Sequence, residues 1–199
     1  TKESDFENIR ETYVVLKTKH TKCIVCNVGD LIEQTTEKEK MVVYSRTGTY
    51  YANHIPSRCN NRNSFNPCRT PFYHNYYKKE GKQIYDHEAL KDEILVTSDQ
   101  TAFTIDYLVE IVLDVTICNG NFESLSKKYS LLQNRRLPTD VVERRIEANR
   151  KRIAEAFFLF TYLELGQRYG IPNYQVLDSD VDTAILKHKP AFQSSFREL

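Results

Sequence analysis

The sequence predicts an α+β fold, with a β-hairpin module over residues 13–86 and a mainly α-helical region over residues 87–199 packed on it. Three observations predict it. Before residue 86, β-branched and aromatic residues alternate with turn residues. After it, apolar residues recur at helical spacing. Four of the five cysteines precede the helical part and fall into two pairs.

Taken in order, Tyr13-Val14-Val15-Leu16 reads as a short strand, preceded by a helix over residues 5–13. Met41-Val42-Val43-Tyr44 and Thr49-Tyr50-Tyr51-Ala52 flank Ser45-Arg46-Thr47-Gly48, a hairpin in which Gly48 supplies the left-handed turn position. Residues 72–77 and 83–85, joined by Lys78-Lys79-Glu80-Gly81-Lys82, form a second hairpin. Ser98 is placed to cap a helix running to about Val115. Asn119-Gly120-Asn121 is a turn, and Phe122, Leu125 and Tyr129 share one side of the next helix. Pro138 opens a long helix that Gly170 and Pro172 end near Arg168. The helix is apolar nearly all round over residues 156–163, which predicts burial there. A short helix is expected over residues 180–187.

At 199 residues, with 40% hydrophobic and 12% aromatic content, the chain is neither low-complexity nor disordered in composition. Its longest unbroken apolar stretch, Ala156-Phe157-Phe158-Leu159-Phe160, is far short of the roughly 20 residues a membrane helix needs, so no membrane partner is expected. The start at Thr1 rather than Met reads as an internal fragment or a processed chain.

A net charge of +1 hides segregation. Residues 17–82 carry 12 basic and 5 acidic side chains, residues 83–125 carry 1 and 9, and residues 126–152 carry 9 and 3. Two readings stand: the blocks neutralise one another in the fold, or the basic blocks face a polyanion.

Cys23-x2-Cys26 and, 32 residues on, Cys59-x8-Cys68 make a four-thiolate pattern. Two cysteines two residues apart can turn around one metal ion, and a hairpin between two pairs can bring them together as in a zinc ribbon. Such a closed set of four is a structural Zn2+ site. The loop-forming insert Asn60-Asn61-Arg62-Asn63-Ser64-Phe65-Asn66-Pro67 can bulge outward and leave both sulfurs of the second pair in place. His54 and His74 are substitute ligands should Cys59 or Cys68 be misplaced, and Cys118 reads as a small core residue.

The runs Lys22-Cys23-Ile24-Val25-Cys26, Ala52-Asn53-His54-Ile55-Pro56-Ser57-Arg58-Cys59, Cys68-Arg69-Thr70-Pro71-Phe72-Tyr73-His74-Asn75-Tyr76-Tyr77 and Ile94-Leu95-Val96-Thr97-Ser98-Asp99-Gln100-Thr101-Ala102-Phe103, in that order, resemble the cysteine-cluster domains associated with KDZ transposases. The resemblance covers about residues 20–165, and the eight-residue spacing of the second pair departs from that family's closer knuckle. It implies a zinc-binding accessory module of a mobile-element protein, nuclear, with a role in nucleic-acid or chromatin recognition.

For DNA recognition the candidate contacts are Arg46, Arg62, Arg69, Lys78, Lys79, Arg144, Arg145 and Arg152, with Tyr50, Tyr51, Phe72, Tyr73, Tyr76 and Tyr77 interleaved for base stacking. Arg145 and Arg152, seven apart, would share a helix face. The alternative is a zinc-stabilised protein-interaction module or homodimer, with the acidic block on a basic partner such as a histone tail. No P-loop, dinucleotide-binding glycine run, His-Glu-x-x-His or Gly-x-Ser-x-Gly occurs, so neither an enzyme nor a small-molecule substrate is expected.

Overall fold

The computed structural model describes residues 14–62, 67–86, 88–135, 149–170 and 173–177. Over these residues it is a mixed α+β structure built on two sheets and three α-helices. Because successive strand residues face opposite sides, the alternating run Met41, Val43, Ser45 of β3 (Glu39–Ser45) is buried while its neighbours are half-buried. β3 pairs with β4 (Gly48–His54) as the expected antiparallel hairpin, in which Gly48 turns at φ 144°. β1 (Val14–Leu16) lies parallel to β4, with Leu16 beside His54.

The second sheet contains the other expected hairpin. β7 (Tyr76–Lys79) pairs with β8 (Lys82–Asp86) across Glu80-Gly81, both at positive φ, the two-residue turn that matches strand twist. Phe72 belongs to a separate strand, β6 (Pro71–Phe72), between β7 and β5 (Ser57–Cys59). β2 (Leu31–Glu33) closes one edge against β5, and β11 (Asn173–Leu177) closes the other against β8.

The helix expected from Ser98 starts later. Ile94–Ser98 is a strand, β9, which turns at Asp99-Gln100 into β10 (Thr101–Thr104), and α1 runs Ile105–Thr116 from Thr104. Val96, Ala102 and Phe103 are fully buried, and β10 lies parallel to β3, so this apolar, β-branched run completes the first sheet, in the order β1-β4-β3-β10-β9. Strands from residues 87–199 therefore sit in both sheets with strands from residues 13–86.

α2 (Phe122–Arg135) buries Leu125 and Tyr129, the side the sequence predicted. α3 runs Arg150–Tyr169, and Gly170 ends it in the left-handed conformation at φ 68°. Its start is Asn149, extended at ψ 120°, whose side chain accepts from the Lys151 N–H at 2.8 Å. Ala156, Phe157, Phe160 and Leu163 are buried as expected. The predicted opening at Pro138, and the helices over residues 5–13 and 180–187, lie outside the described residues. Among the described residues no helix is long and apolar enough to cross a membrane. Cys118 is exposed, not a core residue, because it follows the last turn of α1, beyond the buried Ile111.

Candidate metal centre

Two loops carry the four cysteines. In the first, Lys22 and Asp30 form a single antiparallel bridge, and the chain between them folds tightly: Cys23 N–H donates to Gly29 O at 2.8 Å, and Asn27 N–H donates to Cys23 O at 2.9 Å. Asn27 turns the loop at φ 57°, a conformation Asn tolerates better than most residues. In the second loop, Cys59 ends β5 and Cys68 precedes β6. The Cys59 N–H donates to Thr70 O at 3.2 Å, closing the loop around the insert. The loops are stitched together by Asn60 N–H to Asp30 O at 3.0 Å and Asp30 N–H to Asn60 Oδ1 at 2.9 Å.

The result is a cluster in which the Sγ atoms of Cys23, Cys26, Cys59 and Cys68 all lie within 4.8 Å of one another. Cys23 and Cys68 are 3.7 Å apart, and Cys26 and Cys59 are 3.6 Å apart. Four sulfurs this close, two of them on buried residues, could hold one metal ion. The pairing differs from the expected mechanism. The β3–β4 hairpin between the two pairs lies in the other sheet, and it is β2 against β5, Leu31 opposite Cys59, that brings the pairs together.

The loop backbone supplies the electrostatics. N–H groups of Gly29 and Val28 donate to the Cys26 sulfur and draw its pKa down to about 6. Burial pushes the Cys59 thiol up to about 12 and raises Cys23 as well. A bound divalent cation would favour the thiolate at every position. Gly29 makes room for the cluster, since a Cβ there would stand 2.4 Å from Cys59 Sγ and 2.9 Å from Asn61 N. The sequence reading passed over Gly29; a glycine three residues beyond a cysteine pair was the signal available.

Neither candidate histidine joins the cluster. His54 is buried against the Tyr73 ring at 5.3 Å, and His74 Nδ1 lies 3.0 Å from Lys17 O.

The predicted basic residues are divided. Arg46 pairs with Glu110 at 3.0 Å, Lys78 with Asp99 at 3.2 Å and Arg152 with Glu155 at 3.4 Å. Lys79 lies 4.0 Å from Glu80. Lys128 reaches Glu110 and Asp114. Much of the acidic block thus neutralises basic side chains within the fold. Arg62 and Arg69, beside the cysteines, are exposed and have no acidic partner among the described residues, and the same is true of Lys22. Arg144 and Arg145 lie outside the described residues; the helix carrying Arg152 begins at Arg150, so a seven-residue spacing to Arg145 does not run along it. The aromatic residues serve mainly as packing. Phe72 and Tyr76 are buried, Tyr77 stacks on Phe72 at 5.3 Å, and Tyr73 stacks on Tyr76 at 4.7 Å.

No family model matches this sequence, and neither the curated proteins nor the solved structures contain a match to it.

Proposed function

We propose that this chain is a zinc-binding DNA-recognition module of a transposase-like mobile-element protein that works in the nucleus. The zinc is structural and is held by Cys23, Cys26, Cys59 and Cys68. Zinc suits the donor set: with Zn–S bonds of about 2.3 Å, the sulfurs of a tetrahedral site stand about 3.8 Å apart, close to the 3.6 and 3.7 Å separations here. Four thiolates close the coordination shell, so the metal fixes loop geometry and activates no water.

The observation that carries the DNA reading is the contrast among the cations. Arg46, Lys78 and Arg152 are held by acids of the fold, whereas Lys22, Arg62 and Arg69 around the cysteine cluster have no acidic partner among the described residues. Guanidinium and ammonium groups on a rigid metal-braced loop suit phosphate contacts, which position a protein on duplex DNA. Buried Phe72 and Tyr76 offer no stacking platform, so the duplex backbone is favoured over unpaired bases.

One observation favours the protein-interaction reading. Ile24 and Val28 on the first cysteine loop, and Ile32 on the adjoining β2, are 41%, 73% and 51% exposed. A salt series separates the two. Anisotropy of labelled duplex DNA with the zinc-loaded chain is expected to show affinity falling steeply with salt. Arg62→Glu with Arg69→Glu is expected to flatten the log–log slope by about two, at roughly 0.9 per phosphate contact. No duplex binding at low salt, or an unchanged slope in the double variant, would overturn the DNA reading and leave the apolar loop surface as the contact.

A further inference from the structure

A second site lies away from the cysteine sulfurs. Where residues 18–20, 72–77 and 88–92 meet, the surface encloses a cavity of about 170 Å³, walled by Lys19, His20, Tyr73, His74, Tyr77 and Asp92 among others. A cavity of about 150 Å³ takes a benzene-sized ligand.

Its deepest charge is negative. The Asp92 side chain is only 8% exposed. Asn75 Nδ2 donates to Asp92 Oδ2 at 2.6 Å, and Asn75 Oδ1 accepts from the Val96 N–H at 2.8 Å. That second bond fixes which end of the Asn75 amide faces Asp92, so β9 holds the carboxylate in place. His74 borders the carboxylate: its Nδ1 lies 3.0 Å from Lys17 O and its Nε2 lies 3.8 Å from Asp92 Oδ2. The nearly buried carboxylate of Asp92 is an acceptor that a donor-rich cation would match.

The basic side chains of the wall sit differently. Lys91 is 60% exposed and its ammonium is held by Glu88 at 2.7 Å. Lys19 is 71% exposed along its side chain, yet its Nζ reaches in to Asp92 Oδ1. The hydrogen bond to Asp92 raises the Lys19 pKa above the ordinary lysine value.

We propose that this cavity receives a lysine or arginine side chain of a basic partner peptide, and that Lys19 occupies it in the free chain as an intrachain stand-in. A stand-in lowers apparent affinity by the fraction of time the site is filled. Removing it leaves Asp92 and the Asn75 bond that holds it in place and exposes the carboxylate to the partner. The site is independent of DNA contact at the cysteine loops.

The test is an NMR titration of the full zinc-loaded chain with N-acetyl-arginine methylamide, N-acetyl-lysine methylamide, a pentapeptide bearing one arginine between glycines, and sodium phosphate. The cationic probes are expected to shift the amides of residues 73–77 and 88–92, with the pentapeptide binding at least as tightly as the single amide. Lys19→Ala is expected to tighten them by about threefold to tenfold, and Asp92→Asn to abolish them. Lys19→Ala alters an exposed side chain, so it decides the matter even where Asp92→Asn fails to fold. Absence of shifts in Lys19→Ala, a response to phosphate at these residues in place of the cations, or a pentapeptide weaker than the single amide would each overturn the proposal.

Discussion

Around Phe103, buried side chains from both sheets and all three helices form one continuous core that takes in Met41, Tyr85, Leu108, Tyr129 and Phe160. Around Cys23, among the described residues, only Cys59 and Phe72 are buried with it, edged by half-buried Val25, Leu31 and Tyr77. The first region can order itself by removing apolar surface from water. The second is built from three-residue and two-residue strands and has too little apolar surface to offset the entropy of ordering its loops. Its four closely placed sulfurs could hold a metal ion, which would supply what burial does not. The first region is therefore stabilised by packing, and the second, on the proposed function, depends on coordination.

The largest test of this division is to remove the metal. Structural zinc contributes roughly 10–16 kcal/mol of apparent binding free energy in small metal-folded peptides. Chelation, or Cys23→Ser, is expected to erase amide-exchange protection over residues 23–33, 57–62 and 67–72 while protection persists in β3 and β10. A Cys23→Ser chain with full zinc content and unchanged melting would break the comparison.

The converse change falls in the core. Phe103 is fully buried and stacks on Tyr44 at 5.0 Å. Phe103→Ala should cost about 3–5 kcal/mol of global stability in a denaturant melt, with zinc affinity retained in the fraction still folded.

His54 tests the seam between the regions. It ends β4 in the first sheet and packs on Tyr73 beside the second, and its Nε2 has no hydrogen-bond partner among the described residues. Burial, helped by the charges of His74 and Lys78 and opposed by Asp99, lowers its pKa from 6.5 to about 4. The folded state therefore resists protonation that the unfolded chain accepts. This contribution is fully present above pH 6.5 and is lost as pH falls towards 4, on the order of 3 kcal/mol in all. Stability measured across that window should drop with acid, and His54→Phe should remove most of the slope. An unchanged slope would locate the acid sensitivity elsewhere.

A smaller effect sharpens the difference at single glycines. Gly29→Ala pushes a methyl group against Cys59 Sγ and should cost about 1–3 kcal/mol, as overpacking does, with weakened metal affinity as its signature. Gly81→Ala meets nothing within 4 Å and is strained only by its φ of 69°, so it should cost about 1 kcal/mol and leave metal affinity alone.

Much of the architecture was legible locally. β-forming runs on either side of Ser45-Arg46-Thr47-Gly48 marked β3 and β4, and the Phe122, Leu125, Tyr129 spacing marked α2; the second connection, read as Lys78–Lys82, is the shorter turn Glu80-Gly81. The run from Ile94 to Thr104 was misread as leading into a helix capped at Ser98. An apolar run bounded by polar residues suits a buried strand equally well, and its register against β3 is set some sixty residues away in sequence. The long helix expected from Pro138 is not continuous through Asn149, which is extended and whose side chain caps α3, while Pro138 itself lies outside the described residues. The four cysteines were legible as a metal set. The Asp92 cavity was not, because its walls come from three separate segments with no shared spacing.

By itself the sequence determined what is encoded between near neighbours: the Cys23–Cys26 turn, the hairpin turns, the buried face of α2 and the glycine that ends α3. Covalent geometry holds such groups within a few ångströms of one another in any fold. Only the tertiary structure decided which cations remain available. Arg46 meets Glu110 across 64 positions and Lys78 meets Asp99 across 21, while Arg62 and Arg69 meet no acid among the described residues. Pairing at that range depends on sheet register and burial, which arise only when the whole core assembles.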